Sequence, residues 1–181
     1  MNIPFAPNPH TLFDLSDITA DKIDFRHIAR SLSGMNRFNG SVPFTVAQHS
    51  LAVASLVEDR AKPWALLHDA HEAYTGDIPG PVKTWIKEYV GHKFDTPFHK
   101  IDYAIADAGG IVHLWADPQI IGLVKMADKI SLQAEMDMWF DKAVLTKLGS
   151  IKPEMDLRPF IEIKDPYAAF MGALQDCGVR I

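Results

Sequence analysis

Phe44-Thr45-Val46-Ala47-Gln48-His49-Ser50-Leu51-Ala52-Val53-Ala54-Ser55-Leu56-Val57 carries a helix start in its first five residues. Thr45 followed three residues later by Gln48 is a capping box, and Phe44 stands where the outer half of a hydrophobic staple belongs. The spacing predicts a helix from Val46 to about Asp59 that buries Val53, Ala54, Leu56 and Val57. The same signals recur outward from this stretch. Pro63 opens a helix over Trp64–Tyr74 that Gly76 stops, and Asp77-Ile78-Pro79-Gly80-Pro81 reads as a rigid non-helical turn. Helices follow over Val82–Val90 and Pro97–Ala108, and Asp117-Pro118 opens a long one reaching about Phe140. Asp165-Pro166 opens the last, with Tyr167, Phe170, Met171 and Leu174 on one face and Gly178 at its end. Upstream lie a short helix over Phe25–Leu32 and a turn-rich loop over Ser33–Ser41. Strand alternation is absent apart from a weak candidate at Phe160–Ile163. The expected fold class is all-α, a bundle of about six to eight helices.

The 181 residues fit a single domain over 1–181. Residues 1–24 read as an irregular arm packed by Phe5, Leu12, Phe13 and Leu15; residues 25–140 form the core, and 141–181 a C-terminal segment. A net charge of −5 gives no attraction for nucleic acid or anionic membrane, so an anionic small molecule would need local Lys and Arg. The lone Cys177 precludes an internal disulfide and points to a reducing setting. Without a signal-peptide pattern or an apolar run of membrane length, a cytoplasmic protein is expected.

Three titratable residues gather in the helix over Trp64–Tyr74. His68 shares a face with Trp64 and Ala65, and Glu72 follows His68 by four positions and Asp69 by three. Burying such groups is costly unless a partner compensates, and a cation is an efficient partner. A charged surface helix end would read the same way. His49 lies one turn before Val53, where a satisfied core histidine is the plain alternative. Asp128 shares its face with Ile121, Val124, Ser131 and Leu132, so a carboxylate points coreward and asks for a compensating charge such as Lys125. The Met and Trp residues at 136, 138, 139 and 85 read as core or subunit contact. His71, His92, His99 and His113 form no second ligand set with convincing spacing.

The order His49, His68-Asp69, Asp128 resembles the HD-domain phosphohydrolases. Val46-Ala47-Gln48-His49-Ser50 looks like the first ligand helix of that family, and Val124-Lys125-Met126-Ala127-Asp128-Lys129 like its last ligand block. Ala65-Leu66-Leu67-His68-Asp69-Ala70-His71-Glu72-Ala73 and Thr75-Gly76-Asp77-Ile78-Pro79-Gly80-Pro81-Val82-Lys83 are similar to the bacterial HD-domain 5′-deoxynucleotidases. The short length and the Arg37-Phe38-Asn39-Gly40 loop also resemble the phage-encoded dATP triphosphohydrolases, the nearer match.

The resemblance implies an HD-domain bundle with His49, His68, Asp69 and Asp128 as metal ligands. Two imidazoles and two carboxylates suit one divalent transition ion, Zn, Co or Mn, and leave room for a second, Mg or Mn, on the phosphates. It implies catalytic roles for Glu72 and Asp77, which would handle the attacking water and the leaving group. Lys83, Lys125 and Arg37 are the expected phosphate contacts, and Phe38 a platform for the base. The deoxynucleotidases place their Arg-aromatic pair somewhat farther before the first histidine, which leaves the alignment of that loop open. The expected reaction is conversion of a dNTP, dATP first, to deoxynucleoside and triphosphate. A dNMP 5′-nucleotidase is the alternative, and a non-catalytic metal- or nucleotide-binding module the second alternative. The expected partners are a small-molecule deoxynucleotide and further copies of the chain in a homo-oligomer.

Overall fold

The computed structural model describes residues 3–8, 11–149 and 155–181. The fold is all-α. In chain order the helices are α1 Phe25–Gly34, α2 Val46–Ser55, α3 Lys62–Leu67, α4 Glu72–Thr75, α5 Gly80–Val90, α6 Thr96–Ala108, α7 Val112–Trp115, α8 Pro118–Trp139, α9 Lys142–Leu148, α10 Arg158–Ile161 and α11 Pro166–Asp176. Six of these have ten residues or more, which agrees with the bundle expected from the periodicity.

Helix α2 is the hub. It packs against α1, α3, α8, α10 and α11, and eight of its ten residues are buried. A helix buried on nearly every side belongs in the middle of a bundle. Its start is as the sequence predicts: the Thr45 hydroxyl accepts from the Gln48 N–H, and the Gln48 side chain accepts from the Thr45 N–H. Gln48 also donates to the Phe160 carbonyl at 2.8 Å and so ties α10 onto α2. The main core gathers Ile28, Leu32, Val53, Leu66, Leu67, Ile105, Phe170 and Leu174. A smaller cluster of Val42, Phe44, Ala52, Ala134 and Leu157 lies under α10, with Phe44 against Trp139.

Several local expectations are corrected. The N-terminal arm is a β-hairpin, β1 Pro4–Asn8 against β2 Thr11–Asp14, pairing Phe5 with Phe13. Those two rings close over Tyr74, whereas Leu12 points to solvent, 72% exposed. The pattern hid this because only every second residue of a short strand meets the core. Helix α2 stops at Ser55, and Leu56, expected to be buried, is exposed. The expected helix over Trp64–Tyr74 is two short ones, α3 and α4, joined by a tight turn through His68–His71. In that turn the Ala70 N–H bonds the Leu67 carbonyl and the Glu72 N–H the Asp69 carbonyl, the closer spacing of a 3₁₀ turn. Gly80 and Pro81 belong to the first turn of α5, because a proline there gives up no hydrogen bond. Phe160 and Ile161 lie in α10, so the weak strand candidate falls. No helix among the described residues is long and apolar enough to cross a membrane.

Candidate metal centre

Three elements deliver the site. α2 brings His49, the tight turn after α3 brings His68 and Asp69, and α8 brings Asp128. One ligand atom from each of His49, His68 and Asp128 lies within 4.8 Å of the others. His49 Nε2 is 3.2 Å from Asp128 Oδ1 and 3.6 Å from Asp69 Oδ2. His68 Nε2 is 3.3 Å from Asp69 Oδ2 and 4.0 Å from Asp128 Oδ1. All four residues expected from the sequence therefore converge.

The other face of each ring fixes its tautomer. His68 Nδ1–H donates to the Ala65 carbonyl at 2.8 Å, and His49 Nδ1–H to Glu135 Oε1 at 2.6 Å. Each ring therefore keeps its Nε2 lone pair for the cluster, as a metal-binding histidine needs. Both Nε2 atoms are buried and have no hydrogen-bond partner among the described residues. Orphaned buried nitrogens facing two carboxylates fit a bound cation and are otherwise costly.

Charge at the cluster agrees. Burial presses the His68 imidazole down, yet Asp69 and Asp128 outweigh it and push the pKa up to about 9. Burial and Arg37 press His49 down, and Glu135 and Asp128 raise it beyond the usual imidazole range. Against burial, the two imidazoles hold Asp69 well below the ordinary carboxylate range and lower Asp128. The field that favours imidazolium here would equally favour a divalent ion.

Glu135 is the residue the sequence reading missed. It is fully buried on α8, takes hydrogen bonds from His49 and Ser131 (3.1 Å), and receives Arg37 Nε at 3.1 Å. The signal was present: Glu135 follows Asp128 by seven and Ser131 by four, on the stripe already read as coreward. Arg37 reaches inward and sits 3.7 Å from Asp69. Its charge is thus committed to two buried carboxylates. Phe38 lies against Phe140 with ring centroids 4.9 Å apart, and the Arg37 guanidinium carbon is 5.9 Å from its centroid. The loop carries Phe38 at a positive φ of 54° and leaves it half-buried at the edge of the smaller hydrophobic cluster.

Glu72 is 2% exposed and lies beside the cluster at the start of α4. Burial, with repulsion from Asp69 and Asp77, pushes its pKa up to about 9. Its Oε1 is 3.5 Å from Lys83 Nζ, and its Oε2 is buried without a hydrogen-bond partner among the described residues. Burial also raises Asp77. Gly76 sets the turn that presents Asp77, with φ 79° and ψ 158°, a conformation open almost only to glycine. A cavity of about 680 Å³ opens from His68 and Asp128, and Lys125, Trp64, Trp115, His99 and Asp102 also line it.

An all-α bundle with a histidine–carboxylate cluster lining a cavity defines the class: a helical protein with a centre that could hold a metal ion. The chain is 36% identical over 154 residues to the uncharacterized protein YfdR of Escherichia coli K12, covering 83% of this chain and 78% of that one. It is 33% identical over 179 residues to an uncharacterized protein of Rhodobacter capsulatus, covering 86% and 87% respectively. The chain belongs to the family of these two proteins. No family model matches it.

Proposed function

We propose that the protein is a metal-dependent phosphohydrolase of the HD type that acts on a deoxynucleotide, with dATP converted to deoxyadenosine and triphosphate. One observation carries this reading: two tautomer-locked imidazoles leave buried Nε2 atoms unpartnered between two carboxylates, at the end of a cavity of nucleotide size. His49, His68, Asp69 and Asp128 would hold one divalent transition ion, Zn, Co or Mn. When bound, it supplies polarisation of a phosphoryl oxygen and a more acidic water. Lys125 on the cavity wall and Lys83 at its neighbour Glu72 balance phosphate charge. Glu72, protonated at neutral pH, donates its proton to the 5′ oxygen as the bond between that oxygen and the phosphorus breaks. Asp77 takes the proton that the attacking water gives up as its oxygen bonds to the phosphorus. Solvent exchange then restores both carboxyls.

A second reading has its own support. Arg37 is committed to Glu135 and Asp69, which removes one cation expected for a triphosphate and favours a monophosphate. Incubating the purified protein with dATP and with dAMP, each with Zn, Co or Mn, separates the two by product: triphosphate from the first, phosphate from the second. Turnover of neither, with every ion, would overturn both. Retained metal with lost turnover in Glu72→Ala separates an enzyme from a module that only binds. The exposed Trp85 and Met138 are compatible with assembly into a homo-oligomer.

A further inference from the structure

The cavity has two sides of different chemistry. His68, Asp128 and Lys125 mark the side suited to phosphate, while Trp64, Trp115, Ile121 and Val124 add apolar surface, with His99 beside them. Into that apolar wall a second carboxylate, Asp102 of α6, is set. It is only 8% exposed. Its Oδ1 receives the Nδ1–H of His71 at 3.0 Å, and no other described residue donates to it. A carboxylate offers about four acceptor sites, so most of its capacity is left for whatever enters the cavity. Holding α6 to the tight turn after α3 needs only an acceptor for the His71 N–H, which an asparagine carbonyl would also supply, though more weakly. A carboxylate that only accepts hydrogen bonds, beside two indoles, calls for a flat ligand with an N–H donor at its edge.

We propose that Asp102 is the base-recognising residue of this cavity, accepting a hydrogen bond from the exocyclic amino group of a nucleobase stacked against Trp115. The proposal rests on the nucleotide reading above, and deepens it by predicting preference for adenine or cytosine over thymine. His71 orients the carboxylate and does not touch the base.

Quenching of tryptophan fluorescence by free nucleosides tests the pocket without turnover. The wild-type protein is expected to bind deoxyadenosine and deoxycytidine about 10- to 100-fold more tightly than thymidine, the range for a hydrogen bond to a charged group. In Asp102→Asn the amide oxygen keeps His71 and the NH₂ faces the cavity, so the preference is expected to vanish or turn toward the thymine O4. Purine deoxyriboside, which lacks the amino group, needs no variant and is expected to bind the wild-type protein at least about tenfold more weakly than deoxyadenosine. Equal binding of purine deoxyriboside and deoxyadenosine would overturn the proposal. So would an Asp102→Asn protein of native circular dichroism that weakens all nucleosides alike, which assigns the carboxylate to the sugar. An absence of any nucleoside quenching removes the pocket assignment, whereas loss of dATP turnover with this ranking intact removes only the reaction.

Discussion

At the scale of the residue, the centre is legible because polar side chains stand where apolar ones belong. His49 and Asp128 each interrupt an apolar helix face, and both meet at the cluster. Glu72 carries the sharpest consequence. Its carboxyl is raised from 4.5 to about 9 by burial and by the charges of Asp69 and Asp77. A carboxyl whose folded-state pKa lies above its unfolded one favours folding while protonated. That stability is fully present below about pH 4.5 and is lost as pH rises through 9. Glu72→Gln cannot ionise, so the metal-free variant is expected to lose less stability than the wild type between those limits, measured as urea midpoints across the pH range. Added metal should shrink the difference, because neutralising Asp69 removes one source of the repulsion. Parallel pH profiles for the two metal-free proteins would show that Glu72 does not feel this field. The stripe that Glu135 shares with Asp128 and Ser131 marks it as coreward, but its partner is set only by the fold, which brings His49 to donate to it.

At the scale of the element, capping residues were readable and breaks were not. Thr45, Asp117 and Asp165 all accept backbone hydrogens at the starts of α2, α8 and α11, as their side chains predict. The break between α3 and α4 has no proline or glycine to announce it; the tightening falls on His68–His71, where tertiary contacts with α2 and α6 set the backbone. Periodicity alone reads such a segment as one helix. The turn after α4 is different, because Gly76 states its own requirement. No atom lies within 4 Å of a Cβ built there, so Gly76→Ala costs only backbone strain, about 1–3 kcal/mol. The expected result is a lower urea midpoint and, if Asp77 moves with the turn, reduced turnover. Gly80→Ala is the control: it too has open space, sits in the first turn of α5 at an ordinary φ, and should leave stability unchanged or slightly raised. Equal stability of both variants would mean that the turn can relax without cost.

At the scale of the whole molecule, a cation at the centre would act as a clasp. The residues of the centre arrive from the hub helix α2, from the turn after α3 and from α8, both of which pack against that hub. An unfolded chain cannot keep His49, His68 and Asp128 together, so a cation that binds them binds the folded state alone. Linkage then fixes the size of the effect: free ion at a hundredfold excess over Kd adds about 2.7 kcal/mol. For a chain of this length that corresponds to a rise in Tm of about 5–10 °C. Zn, Co or Mn should therefore raise Tm, and a chelator should reverse the rise. Asp128→Asn retains shape but removes a charge that now offsets two imidazoles, so its Tm should respond to the same ion by less than about 2 °C. The hairpin supplies an internal comparison, since Phe5 and Phe13 pack on Tyr74 and touch no ligand. Phe13→Ala should lower Tm yet keep the full metal response. If instead Asp128→Asn responds to metal as the wild type does, the cation sits elsewhere, and the unpartnered Nε2 atoms of His49 and His68 need another explanation.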